Sequence, residues 1–259
     1  MTHLRRFGLV VLLAGMASGC SRSNSEERSV LTVYAASSLT EAFGELEQAF
    51  ESHHPEIDVQ VAYAGSQVLR IQIENGASAD VFASADERHI AALAQAGLVD
   101  DPVPFAYNEL VVIVSAEAAD QIREFEDLSK ATRLVLGSES VPVGAYSRDM
   151  LARAETVIGP EFVEQVREHV VSEETNVRLV RAKVELGEAD AAVVYRTDAM
   201  GDLNLRVIEV PSELNVEARY YMGRLTHSSQ PDLADSFVEF VESSAGSEVL
   251  QRNGFRSVR

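Results

Sequence analysis

The chain has 259 residues, 46% of them hydrophobic and 24% charged, enough for one large domain or two modest lobes with real cores. With 41 acidic residues against 22 Lys plus Arg, its formal net charge is −19. That argues against a nucleic-acid partner, which needs a concentrated basic face. The single cysteine excludes an internal disulfide and any cysteine-rich metal site.

The N-terminus reads as a targeting segment. Arg5 and Arg6 precede an apolar stretch from Phe7 to Ala14, and small residues, Ala17-Ser18-Gly19, lead to Cys20. Residues 1–19 form a secretory signal too short for an ordinary membrane span. The small residues before the cysteine resemble the lipobox of bacterial lipoproteins, in which Cys20 is lipidated and becomes the mature N-terminus. Ala17 stands where Leu is usual, so release as a soluble protein stays open, as does a free thiol in a discarded signal. Residues 20–29 are polar and read as a flexible tether. Cleavage removes two arginines and no acid, leaving the mature chain more acidic still.

After the tether, strands and helices alternate. Residues 30–35 form a β-branched strand, and 39–50 a helix with Leu39, Phe43, Leu46, Ala49 and Phe50 on one face. Residues 57–63 alternate as a strand, 68–74 are helical up to Asn75-Gly76, and 81–84 form a strand. Asp86 then caps a helix that runs to Gln95 and stops at Gly97. A turn is expected around Pro102 to Asn108, followed by strands at 110–114 and 134–136. Helices follow at 148–154 and 161–168, then a short strand at 169–171. A helix at 177–186 leads to a buried strand at 191–195, strands at 205–210 and 218–225, and a helix at 233–243. The alternation predicts an α/β fold with mostly parallel sheets and helices on both faces. No Pro/Gly/Ser-rich linker divides the mature part, so two lobes would be joined by short crossovers, near 102–108 and after Tyr195.

Four places set small or hydroxyl residues at a helix start just after a strand. They are Ala35-Ala36-Ser37-Ser38-Leu39-Thr40-Glu41, Tyr63-Ala64-Gly65-Ser66-Gln67, Val141-Pro142-Val143-Gly144-Ala145-Tyr146 and Thr175-Asn176-Val177-Arg178. In parallel α/β sheets the carboxyl ends of strands and the amino ends of the following helices share one edge, where ligands bind. Each helix start offers unpaired N–H groups and roughly half a positive charge, so several converging starts make an anion site without Lys or Arg. Such a site tolerates a negative net charge, because distant charges are screened and local dipoles are not. A plainer reading stays open at each position. Ser38 with Glu41 fits a capping box, and Ser66 fits a simple N-cap. His53-His54 reads as a solvated helix end, and Arg70 and Arg178 as anion-steering or solvent-facing residues. No phosphate-loop, zinc-protease or serine-hydrolase motif is present.

Taken together, several segments resemble the molybdate-binding protein of molybdate ABC transporters. They are Val33-Tyr34-Ala35-Ala36-Ser37-Ser38-Leu39-Thr40, Gly65-Ser66, the run from Gln72 through Gly76-Ala77-Ser78-Ala79-Asp80-Val81-Phe82 to Asp86, Val141 to Tyr146, and Glu188 to Ala199. The resemblance spans about residues 30–256. It implies a two-lobed periplasmic-binding fold (type II), one lobe holding 30–107 and 200–259 and the other 108–199. It implies an oxyanion, molybdate or tungstate, in the cleft between them. The matching ligand positions are the hydroxyls of Ser38, Ser66 and Tyr195 and the backbone N–H groups of Val143 and Val177. It implies no catalysis, no cofactor and no metal held by side chains. The partners it implies are a membrane permease and, through Cys20, the membrane itself, for a monomer in the periplasm or at the cell surface. Three positions depart from the pattern: Val143 for alanine, Gly65 for serine and Ser78 for proline. These bear on loop stiffness and fine selectivity. The rivals are a binding protein for sulfate, thiosulfate or phosphate, an enzyme on the same fold, and a ligand-sensing domain.

Overall fold

A computed structural model describes residues 28–201 and 204–258; the signal segment, Cys20 and most of the tether lie outside the described residues. The chain enters through β1 (Ser29–Ala36), α1 (Thr40–His53), β2 (Ile57–Ala64), α2 (Ser66–Glu74), β3 (Val81–Ser84), α3 (Glu87–Gln95) and β4 (Val99–Asn108). It crosses to β5 (Leu110–Val114), β6 (Leu134–Gly137), α4 (Pro142–Val157), α5 (Pro160–Glu168), β7 (Val170–Glu174), α6 (Val177–Glu185), β8 (Ala191–Tyr195) and β9 (Arg206–Glu209). It then returns through β10 (Ala218–Leu225), α7 (Pro231–Glu242), α8 (Ser244–Arg252) and β11 (Arg256–Ser257).

Two sheets result, each the centre of a lobe: a six-stranded one, ordered β11-β4-β10-β3-β1-β2, and a five-stranded one, ordered β7-β6-β8-β5-β9. The two-lobed α/β expectation holds, but the sheets are mixed rather than mostly parallel. β1 pairs in parallel with β2 and β3, and β6 with β7 and β8, while β4, β5, β9, β10 and β11 join by antiparallel pairing. Helical crossovers produce the parallel half of each sheet, and the antiparallel half comes from strands around the passages between lobes.

Three further differences have physical causes. The expected turn at 102–108 is the second half of β4. Its prolines lack a ladder donor, and they are tolerated because β11 covers only Ala106 and Tyr107 and the pairing with β10 is irregular there. The crossing that follows is one residue long, Glu109. The return to the first lobe comes later than residue 200, because β9 pairs with β5 in the second sheet. The helix expected at 148–154 begins already at Pro142, where proline suits the first helical position.

Packing follows the apolar periodicity. α1 buries Ala42, Phe43, Leu46 and Phe50, and the Phe43 and Phe50 rings meet Phe237 edge-on at 6.2 and 5.3 Å. Each buried ring is worth about 1.5–3 kcal/mol of transfer free energy. In the second lobe β5 and β8 are buried along their whole length, as continuous apolar strands covered on both faces must be. The Ala-Asp pairs before β3 and β8 act as struts. Asp80 accepts from Thr32 N at 2.8 Å and Ser228 Oγ at 2.7 Å, and Asp190 accepts from Thr132 N at 2.9 Å and Arg133 Nη2 at 2.7 Å. They pin the strands whose carboxyl ends form the site.

Candidate functional site

The five residues singled out in the sequence lie around one pocket. Ser38, Ser66, Val143, Val177 and Tyr195 line a small pocket with Ala36, Ser37, Gly65, Ala85, Val141, Pro142 and Asn176. Each of the five is at most 5% exposed. The first lobe supplies the Ser37–Leu39 3-10 turn that leads into α1, and the tip of α2. The second supplies the tips of α4 and α6 and the end of β8.

The capping alternatives for the two serines do not hold. Leu39 is the N-cap of α1, and no side chain caps it. Ser66 is the first residue of α2, preceded by Gly65 in extended conformation as the N-cap. The hydroxyl oxygens are used differently: Ser38 Oγ accepts from the Tyr220 hydroxyl at 3.0 Å, and Ser66 Oγ accepts from Ala85 N at 3.1 Å. With a lone pair on each oxygen engaged by a protein donor, the serine protons are left to point elsewhere. The Tyr195 hydroxyl is buried without a hydrogen-bond partner among the described residues. Such an atom costs about 1–3 kcal/mol unless a partner arrives, so it marks a place for an acceptor. Burial, with Tyr220 and Tyr146 nearby, pushes its phenol well above the usual range and keeps it a donor.

The other two positions offer backbone N–H groups at helix starts. Val143 is the second residue of α4, which has no side-chain cap, and Val177 is the first of α6. First-turn N–H groups have no intrahelical acceptor. The α6 cap, Asn176, takes the Leu179 N–H at 3.1 Å and not that of Val177. Val143 is accommodated by a glycine. Its Cγ1 lies 2.9 Å from where a Cβ on Gly137 would stand, and a Cβ on Gly144 would lie 2.1 Å from the Ser138 carbonyl oxygen. The loop and helix tip can therefore close up only with glycine at both positions.

Among the described residues no Lys, Arg, His, Asp or Glu lines the pocket. Arg178 pairs with Glu41 at 2.7 Å and Arg70 with Glu74 at 3.6 Å, so neither lies in the lining. Behind Tyr195, in the turn Thr197–Ala199, Asp198 is fully buried. That burial, with Glu41 adding and Arg178 and Arg181 opposing, pushes its carboxyl up to about 7. Among the described residues no group of three or more His, Cys, Asp or Glu is placed to hold a metal ion, and no helix is long and apolar enough to cross a membrane.

The lobes are in contact across the pocket. Gln67 Nε2 donates to the Thr175 carbonyl at 2.7 Å, His89 Nε2 to the Ser140 carbonyl at 2.9 Å, and Arg219 N to the Tyr146 hydroxyl at 3.3 Å. Burial lowers the His89 pKa against the pull of Asp86 and the Ser140 carbonyl, which fits a neutral ring donating from Nε2. Gly65 belongs to this seam. A Cβ there would sit 2.5 Å from the Thr175 carbonyl oxygen of the other lobe, so its departure from serine bears on closure and not merely on loop stiffness.

Two lobes closed over a polar, uncharged pocket describe a protein that traps a solute. Residues 31–256 match the bacterial extracellular solute-binding protein family. The chain belongs to that family. This solute-binding protein is 36% identical to the molybdate-binding protein ModA of Mycobacterium tuberculosis, over 96% of each chain. Its fold matches the periplasmic molybdate-binding protein of Azotobacter vinelandii with a TM-score of 0.77 at 17% identity, covering 88% of this chain and 100% of that one. It also matches the sulfate-binding protein SubI of M. tuberculosis with a TM-score of 0.78 at 19% identity, covering 89% and 88%. Both structural likenesses bear on the fold alone.

Sequence reasoning missed the residues behind the donors. Gln67 and Ala85 stand inside the quoted segments, but nothing there marks Gln67 as a bridge between lobes or Ala85 as a donor to Ser66, and Tyr220 and His89 lie outside them. The alternation along β10 turns Tyr220 inward, but only the fold brings it to Ser38, 182 residues away.

Proposed function

We propose that this solute-binding protein captures molybdate, or tungstate, between its lobes and delivers it to the permease of an ABC importer. Three hydroxyls, of Ser38, Ser66 and Tyr195, and two backbone N–H groups, of Val143 and Val177, hold the tetrahedral dianion. The observation that carries this reading is the buried, unpartnered Tyr195 hydroxyl facing a pocket whose other polar groups are neutral donors from both lobes. Charge-assisted hydrogen bonds to a dianion are the strong kind, and helix tips favour negative charge. Donors alone also discriminate. A fully deprotonated oxyanion offers only acceptors, whereas hydrogen phosphate brings a proton that finds no acceptor, at a cost of about 1–3 kcal/mol. Kinship with a molybdate-binding relative supports the choice of anion. Molybdate and tungstate nearly coincide in charge, shape and size, so both are taken.

The pocket binds and does not transform. Tyr195 is the one titratable residue in its lining, and burial holds that phenol protonated. The protein works as a monomer without a cofactor, held at the outer side of a membrane by lipid on Cys20. Neutral donors suit release, since a dianion held without a counter-charge leaves when the lobes part.

Calorimetric titration of the mature protein with molybdate, tungstate, sulfate and phosphate tests the assignment. Molybdate and tungstate are expected to bind at least a hundredfold more tightly than the other two. Equal affinity for sulfate contradicts the choice of anion and leaves the fold untouched.

A further inference from the structure

Every hydroxyl can turn, so a donor-only pocket needs something to stop a serine from presenting its oxygen to a protonated ligand. The buried side of Ser38 holds such a device. Tyr220 is 0% exposed and wedged edge-on among Phe105, Tyr195 and Phe255, with ring centroids at 6.2, 5.7 and 5.3 Å. Held by that packing, its hydroxyl donates to Ser38 Oγ at 3.0 Å. Ser38, 5% exposed, then sends its own proton toward the pocket.

We infer that Tyr220 is a specificity-determining positioning residue: by donating to Ser38 Oγ from the buried side it holds the Ser38 hydroxyl as a donor toward the pocket, so that the site rejects oxyanions carrying a proton. The inference rests on the oxyanion reading above and adds the group that enforces its selectivity. Ser66 has a similar restraint, but from the backbone N–H of Ala85, which no substitution short of proline removes. Tyr220 is therefore the point at which the polarity of the site can be changed by a side chain. Without its hydroxyl, Ser38 Oγ gains a free lone pair, turns, and accepts from hydrogen phosphate.

The test is competition of inorganic phosphate against molybdate, followed by calorimetry at neutral pH, for the wild type, Tyr220→Phe, Ser38→Ala and the double variant. Tyr220→Phe keeps the ring packing. It is expected to lower the ratio of phosphate to molybdate dissociation constants at least tenfold, while molybdate affinity itself falls by less. In the Ser38→Ala background the same change leaves the ratio unmoved. Should Tyr220→Phe not fold, Tyr220→Leu, which also lacks the hydroxyl, is expected to narrow the ratio in the same direction. A ratio unchanged in the folded variants, or both affinities falling in equal proportion, overturns the inference. Failure of the wild type to bind molybdate overturns the oxyanion reading on which it rests, and the two failures are distinguished by the first titration.

Discussion

The two halves of the pocket offer hydrogen-bond donors by different means. In the first lobe the donors are side chains, the hydroxyls of Ser38 and Ser66, each with its oxygen engaged from behind. In the second lobe, at the tips of α4 and α6, the donors are backbone N–H groups, and the residues that carry them are valines. A hydroxyl donor is only as good as the restraint on its rotation. A helix-tip N–H is fixed by the helix itself and indifferent to its side chain. The first lobe is therefore exposed to substitution at the donor. The second is exposed at the glycines that let the helix tip approach.

The contrast can be broken in order of size. Ser38→Ala removes a donor to a charged ligand and strands the Tyr220 proton. A hydrogen bond to a charged group is worth about 1.5–3 kcal/mol, so molybdate affinity is expected to fall about 10- to 150-fold by calorimetry. Gly65→Ser leaves every donor in place but sets a Cβ 2.5 Å from the Thr175 carbonyl oxygen. Overpacking on the order of 1 kcal/mol or more opposes closure, so affinity falls about 5- to 10-fold, and small-angle scattering should show a less closed liganded form. Val143→Ala is the smallest: the N–H persists, affinity stays within about threefold, and the loss of buried methyls appears instead as a lower melting temperature. A Val143→Ala loss as large as that of Ser38→Ala would erase the distinction between the lobes.

Most of the parallel architecture was legible because its elements bury one face in regular spacing, as α1 does with Phe43, Leu46 and Phe50. β4 was not, since Pro102 and Pro104 signal a turn, and only the short reach of β11 and the irregular ladder to β10 make them tolerable in a strand. α8 was hidden for a similar reason. The expected elements stop at Ser243, where Gly246 and its serine neighbours are weak helix formers, yet Gly246 is needed where a Cβ would meet the Phe240 carbonyl oxygen at 2.4 Å. In the site, the serine loops announced themselves by residue type. The valines did not, because a backbone donor leaves no mark in the side chain, and they emerged only from the resemblance of the surrounding motifs. The supports Tyr220, Gln67 and His89 were invisible for a third reason: their partners are distant in the chain, Ser38 in the same lobe for Tyr220, and Thr175 and Ser140 in the other lobe for Gln67 and His89.

Diffraction from crystals grown with molybdate, recorded at the molybdenum absorption edge, addresses the seat of the anion directly. One strong anomalous peak is expected between the lobes, its four oxygens within hydrogen-bond distance of Ser38 Oγ, Ser66 Oγ, Tyr195 Oη and the N–H groups of Val143 and Val177. A peak outside that pocket, or one whose nearest neighbours are arginine or carboxylate side chains, would contradict an anion held by neutral donors alone.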